Sequence, residues 1–229
     1  MEGQMTTEPL HLGYWSDPFC IWAYAAQPRL ERILKEHGDQ LDVGYHIVPV
    51  FGSIPERFRE GSWAAKGPSG RAEACRCIAR EHRSVEITGE VWLSDPPSSS
   101  WAAGAAAKAV CELEARGEVP PGTGGRYIQT LRDRFFEDNR NTARRSEQLA
   151  IAEELEIPSA ALRALLDDGT GLALLWEDHS ERERLRLQGS PTYVFDGGRA
   201  QLYGNFNDAI LTATVDGLTK GLSLGGSVC

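Results

Sequence analysis

Tyr14-Trp15-Ser16-Asp17-Pro18-Phe19-Cys20-Ile21-Trp22-Ala23-Tyr24 is the stretch whose reading decides the fold. A short apolar run from His11 to Trp15 breaks at Ser16-Asp17-Pro18, and a single cysteine follows. From Ile21 to about His37 the apolar positions then recur at helical spacing. A cysteine placed where a strand has ended and a helix begins lies near unpaired backbone N–H groups and the positive end of the helix dipole. Both favour the thiolate, the form of cysteine that reacts. Cys20 is therefore the candidate nucleophile; the bland alternative is a buried cysteine packing as a small hydrophobe.

Outward from that point, Leu10–Trp15 reads as a first strand, and Gln27 to Leu34 continues the helix, with Pro28 predicting a kink. Gly38-Asp39 ends the helix. Leu41 to Val48 alternates and then turns fully apolar, as a strand entering a buried sheet does, and Pro49 closes it. Strand, helix and strand within about forty residues make a βαβ unit with a parallel pairing. Residues 52–70 are rich in Gly, Ser and Pro, with Trp63 isolated among them. Helical periodicity then predicts helices over 71–83, 98–117, 125–138, 144–155, 159–167 and 171–187, separated by Pro96-Pro97, Pro120-Pro121-Gly122 and Ile157-Pro158. Near the end, Thr192–Phe195, the turn Asp196-Gly197-Gly198 and Ala200–Tyr203 form a hairpin, and a last helix runs from about Asp208 to Lys220. The expected division is a βαβ part over 8–52, a helical insertion over 53–187 and a ββα part over 188–221, with loose tails at 1–7 and 222–229.

Composition bounds the function. The 229-residue chain is long enough for one domain with a large insertion, and 41% hydrophobic and 25% charged residues are ordinary values for a globular protein. A formal net charge of −9 with no Lys/Arg block argues against nucleic-acid or anionic-membrane partners. The first ten residues lack the apolar core of an export signal, and no apolar run is long enough to span a bilayer. Cys20, Cys75, Cys77, Cys111 and Cys229 are too few and too irregular for a disulfide framework, and no CxxC occurs. A cytoplasmic, reducing compartment is expected. No spaced His/Cys/carboxylate cluster suggests a metal, and Gly122-Thr123-Gly124-Gly125 lacks the Lys and preceding strand of a phosphate loop.

The order βαβ, helical block, ββα resembles an α/β thioredoxin fold with a large all-helical insertion, as in the DsbA-like superfamily. Three local matches carry the resemblance: Asp17-Pro18-Phe19-Cys20-Ile21-Trp22-Ala23 at the first helix, Gly189-Ser190-Pro191-Thr192-Tyr193-Val194 before the third strand, and the terminal hairpin leading to Tyr203-Gly204-Asn205. The last match is similar to the terminal hairpin of the cytosolic branch, which includes FrnE-type proteins, kappa-class glutathione transferases and 2-hydroxychromene-2-carboxylate isomerases. The resemblance implies that Pro191 is cis and faces the reactive cysteine. One departure matters: Ala23 stands where the redox members carry a second cysteine, so dithiol–disulfide cycling within the motif is excluded. The transferases and isomerases also lack the pair but use a serine at the first position; here the protein supplies the sulfur itself.

That combination points to a monothiol enzyme using the Cys20 thiolate on an electrophilic small molecule, free or carrier-bound, with cis–trans isomerisation of an activated C=C bond as the leading chemistry. A thiol-disulfide oxidoreductase or thiol transferase working through a Cys20 mixed disulfide is the alternative, and an inert binding protein is the third reading. No cofactor is required for the first; the second would use glutathione or mycothiol. Pro191, Ser190 and Thr192 are expected beside Cys20, against the alternative of an ordinary turn proline. Trp22, Tyr24, Trp15 and Phe19 are candidates for an apolar pocket over the sulfur, or for core. Trp63 is a candidate cap over a pocket between the two parts, or a surface anchor. His46 is a candidate acid or base, or a satisfied strand histidine. The oligomeric state is open, a homodimer included.

Overall fold

The computed structural model describes residues 8–222 except Ser84. The expected tails over 1–7 and 222–229, apart from Leu222, lie outside the described residues, Cys229 with them. The chain opens with β1 (Leu10–Ser16), α1 (Ile21–His37) and β2 (Leu41–Ile47). Then come α2 (Ile54–Arg59), α3 (Gly67–His82), α4 (Val91–Ser94), α5 (Trp101–Ala115), α6 (Thr123–Phe136), α7 (Arg145–Glu154), α8 (Ser159–Asp167) and α9 (Thr170–Leu185). It closes with β3 (Thr192–Phe195), β4 (Ala200–Tyr203) and α10 (Asp208–Thr219).

The four strands form one sheet in the order β2-β1-β3-β4. The β1–β2 pair is parallel, as a helical crossover requires, in a register from Leu10↔Leu41 to Ser16↔Ile47. β3 is antiparallel to both β1 and β4. At the hairpin, Asp196, Gly197 and Gly198 all adopt positive φ, which the two glycines accept without steric cost. Period-two alternation puts Leu10, Leu12, Tyr14, Leu41, Tyr193 and Phe195 on one face, packed against Leu30 and Ile33 of α1 and Leu211, Val215 and Leu218 of α10. Trp15, Val48, Leu187 and Val194 pack together in a smaller cluster.

Three boundaries differ from the periodicity, each for a local reason. Residues 52–70 contain α2, because the Ser53 side chain accepts from the Glu56 backbone N–H (3.3 Å) and Pro55 fits the first turn. α3 starts at Gly67 rather than 71, with Pro68 in its first turn. The helix expected from residue 98 begins at Trp101. The Ser98 carbonyl accepts from Ile54 N (2.9 Å), and Ser100 N donates to the Phe51 carbonyl (3.0 Å), so those residues pair with the segment after β2. The short α4 had no periodic signal. α1 is assigned as one helix through Pro28. Proline deprives the Tyr24 carbonyl of its usual i+4 donor, and Arg83 Nη1 supplies one at 3.4 Å.

The helical block closes around α5. Ala105, Ala106, Ala109 and Val110 pack with Tyr127, Leu131, Leu162 and Leu175, and Ile47 of the sheet joins the same cluster. A second cluster ties the start of α1 to the helices: Phe19, Ile21 and Tyr24 meet Cys75, Trp92, Phe135 and Phe136. Among the described residues no helix is long and apolar enough to cross a membrane. Small residues set the approach of α9 to α5: a Cβ on Gly171 would lie 2.7 Å from the Ala105 carbonyl oxygen, a backbone atom that cannot rotate away. Gly171→Ala should therefore lower stability by about 1–3 kcal/mol, the usual cost of overpacking. Urea unfolding monitored by circular dichroism checks this; an unchanged midpoint would show that the helices separate freely.

Candidate active site

Cys20 is the N-cap of α1, with extended backbone (φ −79°, ψ 111°). Its N–H donates to the Asp17 carbonyl (3.2 Å) and its carbonyl accepts from Tyr24 N (3.0 Å), so the cysteine closes a tight turn and opens the helix together. The Sγ donates to the Ser190 carbonyl at 3.3 Å, and the Ser190–Pro191 peptide is cis. The Ser190 hydroxyl accepts from Asp17 N at 2.9 Å, and Thr192 Oγ1 donates to the Gly189 carbonyl at 2.7 Å. Two loops separated by 170 residues are thus pinned to each other around one sulfur.

Asp17 is the pin. Its fully buried carboxylate accepts from Phe19 N (2.7 Å), Val50 N (2.8 Å) and Ser100 Oγ (2.5 Å). The contact to Phe19 is an i→i+2 turn, which shapes the backbone just before Cys20. Burial is the largest influence on this group and pushes its pKa up to about 6, while the hydrogen bonds and the charge of Arg132 hold it down. Arg132, itself buried, donates to Ser16 Oγ (2.6 Å) and Gln27 Oε1 (3.4 Å), tying α6 to the end of β1.

Cys20 is 6% exposed, and burial pushes the pKa of its thiol up from the ordinary value. Asp17 adds to the rise, while Ser190 and the Arg71 guanidinium oppose it. The expectation of a thiolate favoured by the helix start is corrected here: desolvation outweighs the hydrogen bonds from Ser190 and the Ala23 backbone together with the Arg71 charge.

The other candidates separate. Ser190 contacts the sulfur through its carbonyl, Pro191 follows it across the cis peptide, and the Thr192 hydroxyl turns back to the Gly189 carbonyl. Trp15 stacks on His46 (4.1 Å between centroids) in the small cluster with Val48 and Val194. Phe19 stacks on Phe135 (4.4 Å). Tyr24 packs on Phe136 and donates its hydroxyl to Glu137 (2.7 Å). These three rings are closed into core rather than lining an open pocket, because each finds an aromatic partner that excludes water more completely. Trp22 is 41% exposed beside His82. Trp63 packs against Phe51, Phe58 and Trp92. His46 Nδ1 lies 2.9 Å from buried Asp178, which also accepts from Ile47 N (2.7 Å) and Lys108 Nζ (3.0 Å). His46 instead borders a cavity of about 460 Å³ with Lys108, Cys111 and Glu112, away from Cys20. No group of three or more metal-ligating side chains occurs among the described residues.

Sequence reasoning missed Asp17, Ser100 and Arg71. For Asp17 the signal was its place before Pro-Phe, a turn setting; for Arg71 it was the lack of any acidic residue at helix-pair spacing. Nothing in the sequence marks Ser100.

Known proteins share this architecture. No family model matches the chain. It is 23% identical over 194 residues to the ClpXP adapter protein SpxH of Halalkalibacterium halodurans, covering 84% of this chain and 60% of that protein, so the chain spans about 60% of the length of this curated relative. Among solved structures, a probable DsbA oxidoreductase from Streptomyces coelicolor superposes with a TM-score of 0.70 at 16% identity, covering 96% of this chain and 94% of the other. The cytosolic disulfide reductase DsbM of Pseudomonas aeruginosa, solved with GSH, gives 0.63 at 20% identity over 93% and 96%. A 2-hydroxychromene-2-carboxylate isomerase gives 0.63 at 11% over 92% and 97%. The chain has the DsbA-like thioredoxin fold.

A carboxylic acid whose pKa is higher in the folded than in the unfolded chain stabilises the fold most below its unfolded value and loses that contribution as pH rises through its folded value. For Asp17 the window runs from about pH 4 to about pH 6. Across it, wild type should lose about 3 kcal/mol relative to Asp17→Asn. Denaturation of both proteins at each pH measures the difference; a flat difference would mean that Asp17 is not desolvated. In the same way, the alkylation rate of Cys20 should rise with a midpoint above that of free cysteine, and a midpoint below it would contradict the buried thiol.

Proposed function

We propose that this protein is a single-cysteine enzyme in which Cys20 attacks an electrophilic small molecule and is released unchanged. The reading rests on one observation: the sulfur at the start of α1 is held against the Ser190-Pro191 loop, where a strand end, a helix start and a second loop converge. With Ala23 three residues on, no neighbouring thiol in the motif can take over a bond formed there. The chemistry must therefore return the sulfur by itself or with an external thiol.

Cis–trans isomerisation meets the first condition. The thiolate adds to the β-carbon of an activated double bond, the π pair moves to the neighbouring carbonyl as an enolate, and the remaining C–C bond rotates. Collapse of the enolate expels the thiolate and restores C=C, with no net gain or loss of electrons or protons. The thiol must lose its proton first, so turnover is expected to rise with pH. The likeness to an isomerase of the same fold supports this chemistry. No resident cofactor or metal takes part, the substrate is free or carrier-bound, and the working compartment is the reducing cytoplasm.

A second reading draws support from the likeness to a cytosolic disulfide reductase solved with GSH. Cys20 would attack a disulfide, expel one thiolate and hold the other half as a mixed disulfide, which glutathione or mycothiol then cleaves.

The test pairs Cys20→Ala with wild type on a panel of cis enones followed by proton NMR. Wild type should equilibrate at least one substrate, and the variant should lose at least about 100-fold in rate, as expected when a covalent nucleophile is removed, while keeping its circular dichroism. Equal rates would reject the nucleophile. Intact-mass measurement after incubation with oxidised glutathione separates the readings: isomerase activity without an adduct favours the first, and an adduct on Cys20 without isomerisation favours the second. Neither result would leave an inert binding protein and would overturn the proposal.

A further inference from the structure

Arg71, in the second turn of α3, has a setting unlike the chain's other guanidinium groups that lie over rings. Its Cζ lies 4.6 Å from the centroid of Trp63, 5.0 Å from Trp92 and 5.6 Å from Phe51. Its Nε is buried with no hydrogen-bond partner, and no carboxylate pairs with it among the described residues. Arg57, over the same Phe51 and Trp63 rings, donates to the Val50 carbonyl (2.6 Å). Arg83, over Tyr24, is bound to Glu137 (3.2 Å). Both of those cations are answered by oxygen; Arg71 is not.

Aromatic faces attract a cation but accept none of its N–H groups. A guanidinium whose Nε is buried with no acceptor carries an uncompensated cost at that atom unless a ligand completes it. The group that matches a planar fork is a carboxylate, taken in two parallel hydrogen bonds. The position relates it to the thiol: Trp92 packs edge-on to Phe135, and Phe135 stacks on Phe19, the residue before Cys20. The positive charge is also felt at Cys20, where it opposes the rise caused by burial.

We infer that Arg71 receives the carboxylate of the electrophile that Cys20 attacks, so that the substrates are small anionic molecules. The inference rests on the nucleophilic role of Cys20 and narrows it: the carboxylate docks on the caged guanidinium, bringing the electrophilic carbon to the sulfur. Arg71 is then a specificity residue, distinct from a cation that only stabilises the thiolate.

Iodoacetate and iodoacetamide test this, being near in size and differing in charge. In each reaction the S–C bond forms, the C–I bond breaks and iodide leaves with the bonding pair. The readout is the ratio of the two alkylation rates at Cys20, divided by the same ratio for free cysteine, which cancels the reagents' intrinsic reactivities. Wild type should favour iodoacetate about fivefold or more, the scale of one charge pair near a protein surface. Arg71→Met should bring the ratio to about one, and Arg71→Lys should keep most of the preference. If Met lowers both rates by the same factor and leaves the ratio in place, Arg71 acts on the thiolate alone and the inference is wrong. Should Arg71→Met fail to fold, wild type itself decides. Raising the salt toward 1 M should erase the preference for iodoacetate while sparing iodoacetamide, and a ratio of one at low salt overturns the inference. Failure of iodoacetamide to modify Cys20 at any pH would remove the nucleophile as well; modification without a charge preference removes only the role of Arg71.

Discussion

The arrangement depends on one buried carboxylate. Asp17 joins the β1–α1 turn through Phe19 N, the segment after β2 through Val50 N and the start of α5 through Ser100 Oγ. Its own backbone N–H donates to the Ser190 hydroxyl oxygen. Four segments far apart in sequence therefore meet at one residue, and none of its oxygen contacts is to a cation. A carboxylate placed so deep without a direct counter-ion is tolerated only because N–H and O–H donors surround it. That requirement fixes the relative positions of the sheet, the helical block and the 189–192 loop.

Cys20 inherits its geometry from that pin and its chemistry from a balance. Desolvation, with the nearby Asp17, holds the proton on, whereas hydrogen bonds from Ser190 and the Ala23 backbone and the charge of Arg71 draw the sulfur toward thiolate. At rest the balance leaves a neutral thiol donating to the Ser190 carbonyl. Such a sulfur is protected from adventitious oxidation, since susceptibility follows thiolate character and exposure.

The aromatic residues divide between packing and electrostatics. Phe19, Tyr24, Trp92, Phe135 and Phe136 join the βαβ unit to the helices through ring contacts, which explains how an inserted block holds its place against a small sheet. Trp63 and Trp92 also provide faces for Arg71. The polar bridge from Arg132 to Ser16 and Gln27 runs through the same junction. The sulfur thus sits where apolar packing and buried polar contacts meet.

By itself the sequence determined the strands, the long helices, the βαβ and ββα ends and Cys20 at the start of α1, because periodicity and turn residues act over a few neighbours. The resemblance of the two loop motifs implied that the loop around Pro191 approaches Cys20, and the hydrogen bond between Cys20 and Ser190 lies in that loop. It did not carry α2, whose serine cap outweighed a loop-like composition, or α4, too short to show a period. Above all it could not tell which aromatic residues line a pocket and which fill a core. Trp15, Phe19 and Tyr24 look alike beside a cysteine, and only packing against His46, Phe135 and Phe136 decides. The same holds for charge: whether the helix dipole or desolvation governs the Cys20 thiol depends on how much water the folded chain removes, and that is a property of tertiary structure alone.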